Sequence, residues 1–462
     1  MPYIYNTPED QRDMLAAIGV GSVEELFEMV PTDLRLNRPL EVPAALTEIE
    51  LDQHVRELAG RNEHAGTKVC FLGGGSYDHF VPAVVDVIGS RSEFYTSYTP
   101  YQAEVSQGNL QAMFEYQSLI TRLTGMDVSN SSLYDGASAA AEAVLMAISS
   151  TKRFAKVIVP ESLHPEYRQT IETYLTTLGV AVETIPAPSG VVDPAELLAA
   201  VDHQTACVVL QQPNFFGCIE NGEGIAAVTH QVGALLVSVF DPISLGLLKR
   251  PGDYGADIAV AEGHTLGTAM SYGGPYLGIL ACKEALIRRM PGRIVGETVD
   301  RRGKRCFVLT LQTREQHIRR EKATSNVCTN QGLFALRAAV YLSLLGPEGL
   351  RETANLCLQK SRYLADQLCK SDRFSMAFEQ PTLKEFVIRD SENRVEELLD
   401  SALDTGFLAG LPLGRWYPEL SDCFLVAVTE KRTKAEMDHL VTALTSGSKK
   451  AGRGRKHEVA HS

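Results

Sequence analysis

The sequence predicts an α/β fold, a mostly parallel sheet with helices on both faces, followed by a smaller C-terminal α+β domain. Three observations carry this. Short apolar runs without alternation recur at 157–159, 180–185, 206–210, 234–240, 258–261 and 277–281, as expected of strands buried on both faces. Helical patterns at 164–178, 194–201 and 222–232 separate several of these runs, the alternation that produces parallel pairing. Beyond Gly332, helix patterns at 333–345 and 349–369 give way to strand patterns at 374–389 and 423–428. The expected organisation is a helical strap over 1–65, a large domain over 66–330, a small α+β domain over 331–445 and a disordered basic tail over 446–462.

Composition narrows the class of function. A chain of 462 residues is too long for one small core, and its 44% hydrophobic and 22% charged content is ordinary for a globular protein. A net charge of -13 argues against a nucleic-acid partner. No apolar run approaches the ~20 residues a membrane helix needs, so no membrane partner is expected. The first nine residues are polar, with two prolines, and no signal peptide is expected. The nine cysteines are scattered without a Cys-x-x-Cys pair, which suggests no metal site and a reducing, cytoplasmic location.

Taken in order, Thr7-Pro8-Glu9-Asp10 opens a helix with an N-cap hydroxyl, a first-turn proline and early acids, and Gly19 closes it. Ser22-Val23-Glu24-Glu25 reads as a second capping box, with Pro31 as the stop. A strand over 68–72 runs into Gly73-Gly74-Gly75. That run could approach a phosphate, but no Gly-Lys-Ser/Thr follows, and a turn requiring positive φ is the commoner reading. Around Pro100, Phe94, Tyr95, Tyr98 and Tyr101 crowd one loop. Such a loop suits either an ordered structural turn or an interface and substrate channel. A helix follows from Asn109 to Gly125, and then Tyr134-Asp135-Gly136-Ala137-Ser138 leads into an alanine-rich helix whose N-terminal amides could cradle a phosphate or simply pack closely. The basic stretch 288–322 reads as a solvated face, a subunit contact or an anion site.

Asp241 ends an apolar run, at the carboxyl edge of the sheet where ligands collect, and a second run leads into Glu262-Gly263-His264-Thr265. This layout resembles the site of the aspartate-aminotransferase-like, fold type I pyridoxal-phosphate enzymes. There an Asp holds the pyridine nitrogen, and a Lys, often after a His, forms the Schiff base. Longer motifs sharpen the likeness: Phe71-Leu72-Gly73-x-Gly75-x-Tyr77-Asp78-His79, Tyr98-Thr99-Pro100-Tyr101-Gln102-Ala103-Glu104, Gly292-Arg293-x-Val295-Gly296 and Arg319-Arg320-Glu321-Lys322-Ala323-Thr324-Ser325-Asn326. Over almost the whole chain, from Tyr3 to about Leu440, they resemble the α chains of the two-chain P-proteins of the glycine cleavage system, glycine dehydrogenase (decarboxylating).

The resemblance implies an oxidoreductase subunit that is inactive alone and assembles as α2β2 with a β subunit. Pyridoxal 5'-phosphate is then bonded to a Lys of the β subunit; glycine loses carbon dioxide, and its aminomethyl group passes to the lipoyl arm of H-protein. Thr265 stands where that family's Lys belongs, and a hydroxyl cannot form an imine. Lys249 lies eight positions beyond Asp241, against 24 for Thr265, and lacks the preceding His. On this resemblance His164, Asp241, His264 and Thr265 form a vestigial pocket, while Tyr98, Tyr101, Gln102 and Glu104 complete the β-subunit site. The rival expectations are a self-sufficient pyridoxal-phosphate lyase or transferase using another lysine, and a purely structural partner subunit.

Overall fold

The computed structural model describes residues 6–446, which divide at Asn62 into two compact units. In the first, Thr7 and Asp10 form the expected capping box on the helix Pro8–Ile18, and Gly19 ends it in the left-handed region. The helix expected after Ser22 is only a 3₁₀ turn, Glu24–Phe27. Between Gly21 and Pro31 there is too little chain to repay α-helix nucleation. A helix absent from the sequence reading, Glu48–Ala59, starts from a further capping box between Thr47 and Glu50. Neither α-helix buries a residue.

The second unit is built on a seven-stranded sheet in the spatial order Val128–Ser129, Gly278–Cys282, Ile258–Glu262, Leu235–Phe240, Thr205–Gln212, Lys156–Pro160, Ala181–Ile185. All pairings are parallel except those of Gly278–Cys282, antiparallel to both neighbours. Helices cover both faces. Tyr116 and Ile120 of the helix Gln107–Thr124 pack with Leu236 and Phe240 on one side, while Ala140, Val144 and Ala147 of the helix Gly136–Thr151 pack with Val237 and Val239 on the other. The inner strands are buried along almost their whole length, as a sheet covered on both faces requires. Ala181–Ile185 departs from that expectation, because it is an edge strand with half-exposed residues.

Leucine 333 onward forms one long helical element, Gly332–Leu368, broken at Gly346 (φ 59°, ψ −173°) just before Pro347, so two helical stretches are present as the sequence suggests. By length and composition alone this element would reach across a membrane, contrary to the reading that no run is long enough. Its Ala335, Ala338 and Tyr341 are instead buried in the core. The expected strand over 374–389 is two strands, Phe374–Met376 and Glu385–Asp390, in a four-stranded antiparallel sheet with Cys423–Ala427 and Leu411–Pro412. Pro381, in the segment between them, has no amide to donate to a ladder.

The basic stretch divides. A hairpin not anticipated from sequence, Ile294–Val299 with Arg305–Thr310, exposes Arg301 and Arg302 at its tip. Arg293 is buried, donating to Asn330 Oδ1 (3.0 Å) and the Cys328 carbonyl (2.9 Å), and Arg314 donates to the carbonyls of Met290 and Gly292. The glycine run is a turn, with Gly74 and Gly75 at φ +67° and +93°. The tail expected over 446–462 lies, from residue 447 on, outside the described residues.

One buried charge in this frame gives a testable pH effect. Burial pushes the Glu142 carboxyl, on the alanine-rich helix, up to about 7, against a smaller pull from Ser325. A raised folded pKa means stability present in full below the unfolded value of 4.5 and lost as pH rises through about 7. Glu142→Gln should therefore be more stable than wild type by about 2 kcal/mol near pH 8 and no more stable near pH 4. Urea unfolding at both pH values checks this; equal stability at the higher pH contradicts it.

Candidate functional site

Asp241 follows the strand Leu235–Phe240 at the carboxyl edge of the sheet, as the sequence places it. Its Oδ2 lies 2.9 Å from Lys384 Nζ, and both side chains are almost wholly buried. The contact is an ion pair off the hydrogen-bonding axis, and no donor among the described residues reaches Oδ2 along that axis. The ammonium also sits 3.5 Å above the centre of the Tyr77 ring, a cation–π contact in a dry setting. Its third neighbour is His79 Nε2, at 3.3 Å.

Lysine has only donors, so His79 accepts at Nε2 and donates from Nδ1 to Glu430 Oε2 at 2.6 Å. Burial alone would raise the Glu430 carboxyl; the hydrogen bonds from His79 and the Phe80 amide outweigh it and hold the group at about 2. The result is a buried relay, Asp241, Lys384, His79, Glu430, running between the two sheets. Glu385 continues the seam, accepting from the Gly74 amide (2.7 Å) and the Tyr77 hydroxyl (2.8 Å). His79, Cys357 and Glu430 bring three potential metal ligands within 4.8 Å of one another. With His79 already spanning Glu430 and the Lys384 ammonium, the cationic place in this cluster is taken.

At the other pole Glu262, which lines the pocket, reaches the start of the helix Gly136–Thr151. Asp135 caps it, accepting from Ser138 N at 2.8 Å. The Gly136 amide donates to Glu262 Oε2 at 3.0 Å, while Glu262 Oε1 accepts from the amides of His264 and Leu277, each at 3.0 Å. Burial raises the Glu262 carboxyl to about 7 against these three amides. A Cβ on Gly136 would lie 2.1 Å from the Tyr167 hydroxyl, so no side chain fits here.

His164 caps the helix Pro165–Leu175, accepting from Glu166 N at Nδ1 (3.1 Å) and donating from Nε2 to the Gly74 carbonyl (2.8 Å). Burial lowers its pKa, so the ring is neutral, packed against Tyr167 and Phe215 with centroids 4.9 Å away. His264 lies behind Tyr77, accepting its amide at Nε2 (3.1 Å) and stacking on Tyr276 at 4.5 Å; burial depresses it to about 3. Thr265 is buried, and its hydroxyl has no hydrogen-bond partner among the described residues. Lys249 is exposed and paired with Glu223, away from the cavity. Asp241, His164, Glu262, Lys384 and Glu385 line one cavity with about 40 Å³ of free space, room for a few waters.

The aromatic loop lies elsewhere. Tyr98 and Tyr101 are 79% and 72% exposed, and Gln102 and Glu104 are exposed beside them. Asn109 ties the loop to the following helix through Ser97 Oγ at 2.6 Å. Tyr98 and Thr99 border a separate cavity of about 200 Å³ with Met113, Asn330 and Gln331. Of the expected site residues, His164 and Asp241 line the first cavity and Tyr98 the second, while His264, Thr265, Tyr101, Gln102 and Glu104 line neither. The sequence reading does not name Lys384, Glu385, Tyr77 or Glu262 as site residues, although Tyr77 and Glu262 stand inside its motifs. The available signal was the Lys384-Glu385 pair standing directly before the apolar run Phe386-Val387-Ile388, where a strand entering a core has no reason to carry two charges.

Comparison with known proteins decides the family. The family described as Glycine cleavage system P-protein matches residues 1–444. The chain belongs to the glycine cleavage system P-protein family. It is 51% identical over 444 residues to the probable glycine dehydrogenase (decarboxylating) subunit 1 of Desulforamulus reducens, covering 96% of this chain and 99% of that one. Against the protein of the same description from Chlorobaculum tepidum it is 48% identical over 447 residues, covering 96% and 100%. A crystal structure of glycine decarboxylase (P-protein) of the glycine cleavage system, in inhibitor-bound form, superposes with a TM-score of 0.87 at 43% identity, covering 97% of this chain and all of that one. Lactobacillus brevis glutamate decarboxylase, at a TM-score of 0.67, 13% identity and 92% and 96% coverage, shares the fold alone. The fold of this P-protein-family chain is therefore that of the fold type I pyridoxal-phosphate enzymes.

The pocket of this P-protein-family chain does not fit that cofactor. Thr265, which the resemblance sets at the place of the Schiff-base lysine, is buried and offers only a hydroxyl. Asp241 already faces an ammonium, and the Gly136 amide already faces a carboxylate.

Proposed function

We propose that this chain is the non-lysine α subunit of glycine dehydrogenase (decarboxylating), acting in an α2β2 assembly with a β subunit that carries pyridoxal phosphate. Together the subunits bind glycine, release carbon dioxide and transfer the aminomethyl group to the lipoyl arm of H-protein. The observation that carries this reading is Thr265: it is buried, and by the family resemblance it takes the bond-forming position, where a hydroxyl forms no imine. The relatives' description as subunit 1 supports a two-chain enzyme. Nine free cysteines suit a cytoplasmic setting.

Within that assembly the chain's own contribution is the exposed loop. Tyr98, Tyr101, Gln102 and Glu104 present two phenols, an amide and a carboxylate on turns anchored to a rigid helix, groups suited to orienting a small zwitterion or lining a channel at the partner's site. Glycine decarboxylation and exchange should appear only when this chain is mixed with the β subunit. In the assembled complex, Tyr101→Phe with Gln102→Ala should slow both rates by about 10–100-fold while assembly, read by size-exclusion chromatography, is unchanged. Unchanged rates in an intact complex would assign the loop to scaffold instead. Borohydride-trapped cofactor on the isolated chain would establish a self-sufficient enzyme.

A further inference from the structure

Both ends of the cofactor pocket in this chain are occupied by its own side chains. A pyridoxal-phosphate site recognises two charges, a pyridinium held by a carboxylate and a phosphate held by amides at a helix start. Here the carboxylate is Asp241, and Lys384 Nζ stands 2.9 Å from it. The helix-start amide is Gly136, and Glu262 Oε2 stands 3.0 Å from it. We propose that Lys384 and Glu262 act as built-in substitutes for the pyridinium and the phosphate, closing the pocket from within and determining that this chain refuses the cofactor even without a covalent bond.

Each substitute matches the sign of the group it replaces, and each is held by further contacts. Lys384 enters from the residue before the strand Glu385–Asp390 of the four-stranded sheet, capped by the Tyr77 ring and His79. Glu262 ends the strand Ile258–Glu262 and is fixed by the amides of His264 and Leu277. A phosphate arriving at Gly136 would meet a carboxylate, and a pyridinium arriving at Asp241 would meet an ammonium, so like charge opposes entry at both ends. Lys384 is also no replacement for the lost Schiff-base lysine. It occupies the pyridine-nitrogen end of the pocket, whereas the imine forms at the opposite side of the ring. Lys384 and Glu262 both line the cavity, which retains only about 40 Å³ of free space.

This inference rests on the reading that the β subunit carries the cofactor, and the test separates the two. The probe is pyridoxamine 5'-phosphate, which has the ring and phosphate but no aldehyde, so it forms no imines with surface lysines. Binding to the full chain, alone and in complex, is read by equilibrium dialysis and by fluorescence of Trp416, the single tryptophan, which packs edge-on at 5.7 Å against the Phe215 ring beside His164. In the complex, the β sites are first saturated with pyridoxal phosphate. Wild type should show no saturable binding to this chain, whereas Lys384→Met with Glu262→Gln should bind at least about tenfold more tightly. Adding Asp241→Asn should abolish the gain. A folded double variant that gains nothing overturns the proposal while leaving the β-subunit reading intact; wild type that binds as tightly as the variant overturns it too, and wild type trapped covalently with pyridoxal phosphate overturns both. Should the double variant not fold, the wild-type chain still decides. Under limited acetylation followed by mass spectrometry, Lys384 should react at least about tenfold more slowly than exposed Lys249, and equal rates refute its burial against Asp241.

Discussion

Asp241→Asn is expected to lower the stability of this chain by about 3–5 kcal/mol, because it strands the buried ammonium of Lys384 without its counter-charge. Taking one partner from a buried ion pair costs far more than the pair is worth, since the desolvation of the survivor is no longer offset. The remaining neighbours do not replace the lost carboxylate. His79 accepts at Nε2 but is neutral toward lysine, and the Tyr77 ring supplies only a cation–π contact. Replacing both charges, in Asp241→Asn with Lys384→Met, should recover most of the loss, because the pocket is then uncharged and methionine follows much the same path as the lysine stem. Urea unfolding of wild type, both single variants and the double gives the coupling energy. Additive losses, with the double as unstable as the sum of the singles, would mean that the two groups do not interact across 2.9 Å as the geometry shows.

That pair also marks where reading the sequence stopped. Asp241 was legible because it ends an apolar run, and Thr265 because it follows a histidine in a motif with a strong chemical precedent. The parallel strands were legible for the same local reason: 206–210 and 234–240 are apolar without alternation. Lys384 was not, because it stands just before a strand, 143 positions further along, and only the fold brings it to Asp241. Glu262 was visible in the motif, yet its bond to Gly136 spans 126 positions and requires the helix start to lie over the strand end. The hairpin Ile294–Val299 with Arg305–Thr310 was hidden by its arginines, which read as a charge run until Arg293 and Arg314 were seen holding backbone carbonyls. Local pattern reveals elements and single residues; charge pairing across the sequence is decided by packing.

The two cavities bear on how a two-chain enzyme divides its labour. A fold that keeps Asp241, a neutral His164 and a capped helix start at Gly136, yet fills them with Lys384 and Glu262, has kept the frame of a cofactor site and lost its vacancy. The relay from Asp241 to Glu430 joins the seven-stranded and four-stranded sheets by fixed charges, so this chain has little reason to open and close around a ligand. On the proposed reading the mobile chemistry belongs to the partner, and Tyr98–Glu104 is an exposed polar segment that can reach it.

Gly217→Ala tests that rigidity from the backbone side and should be nearly as damaging as breaking the ion pair. Gly217 has φ +79°, and a Cβ there would stand 2.1 Å from the Glu385 carbonyl oxygen and 2.5 Å from its carbonyl carbon. The obstruction is strand backbone rather than a flexible side-chain end, so it has no easy way to yield. Left-handed strain costs about 1 kcal/mol or more, and forcing the Glu385 backbone away adds about 1–3 kcal/mol, for an expected loss of about 3 kcal/mol. The displacement should also pull Lys384, the preceding residue, off Asp241, so acetylation of Lys384 should quicken in this variant. Gly179→Ala is the matched control. It has φ +68° but meets nothing within 4 Å, so it should cost only about 1 kcal/mol and leave Lys384 protected. Equal losses for the two alanines in urea unfolding would show that only φ strain matters and that the seam at Glu385 is soft. A larger loss at Gly217, together with faster labelling of Lys384, is the result that a tightly packed seam requires.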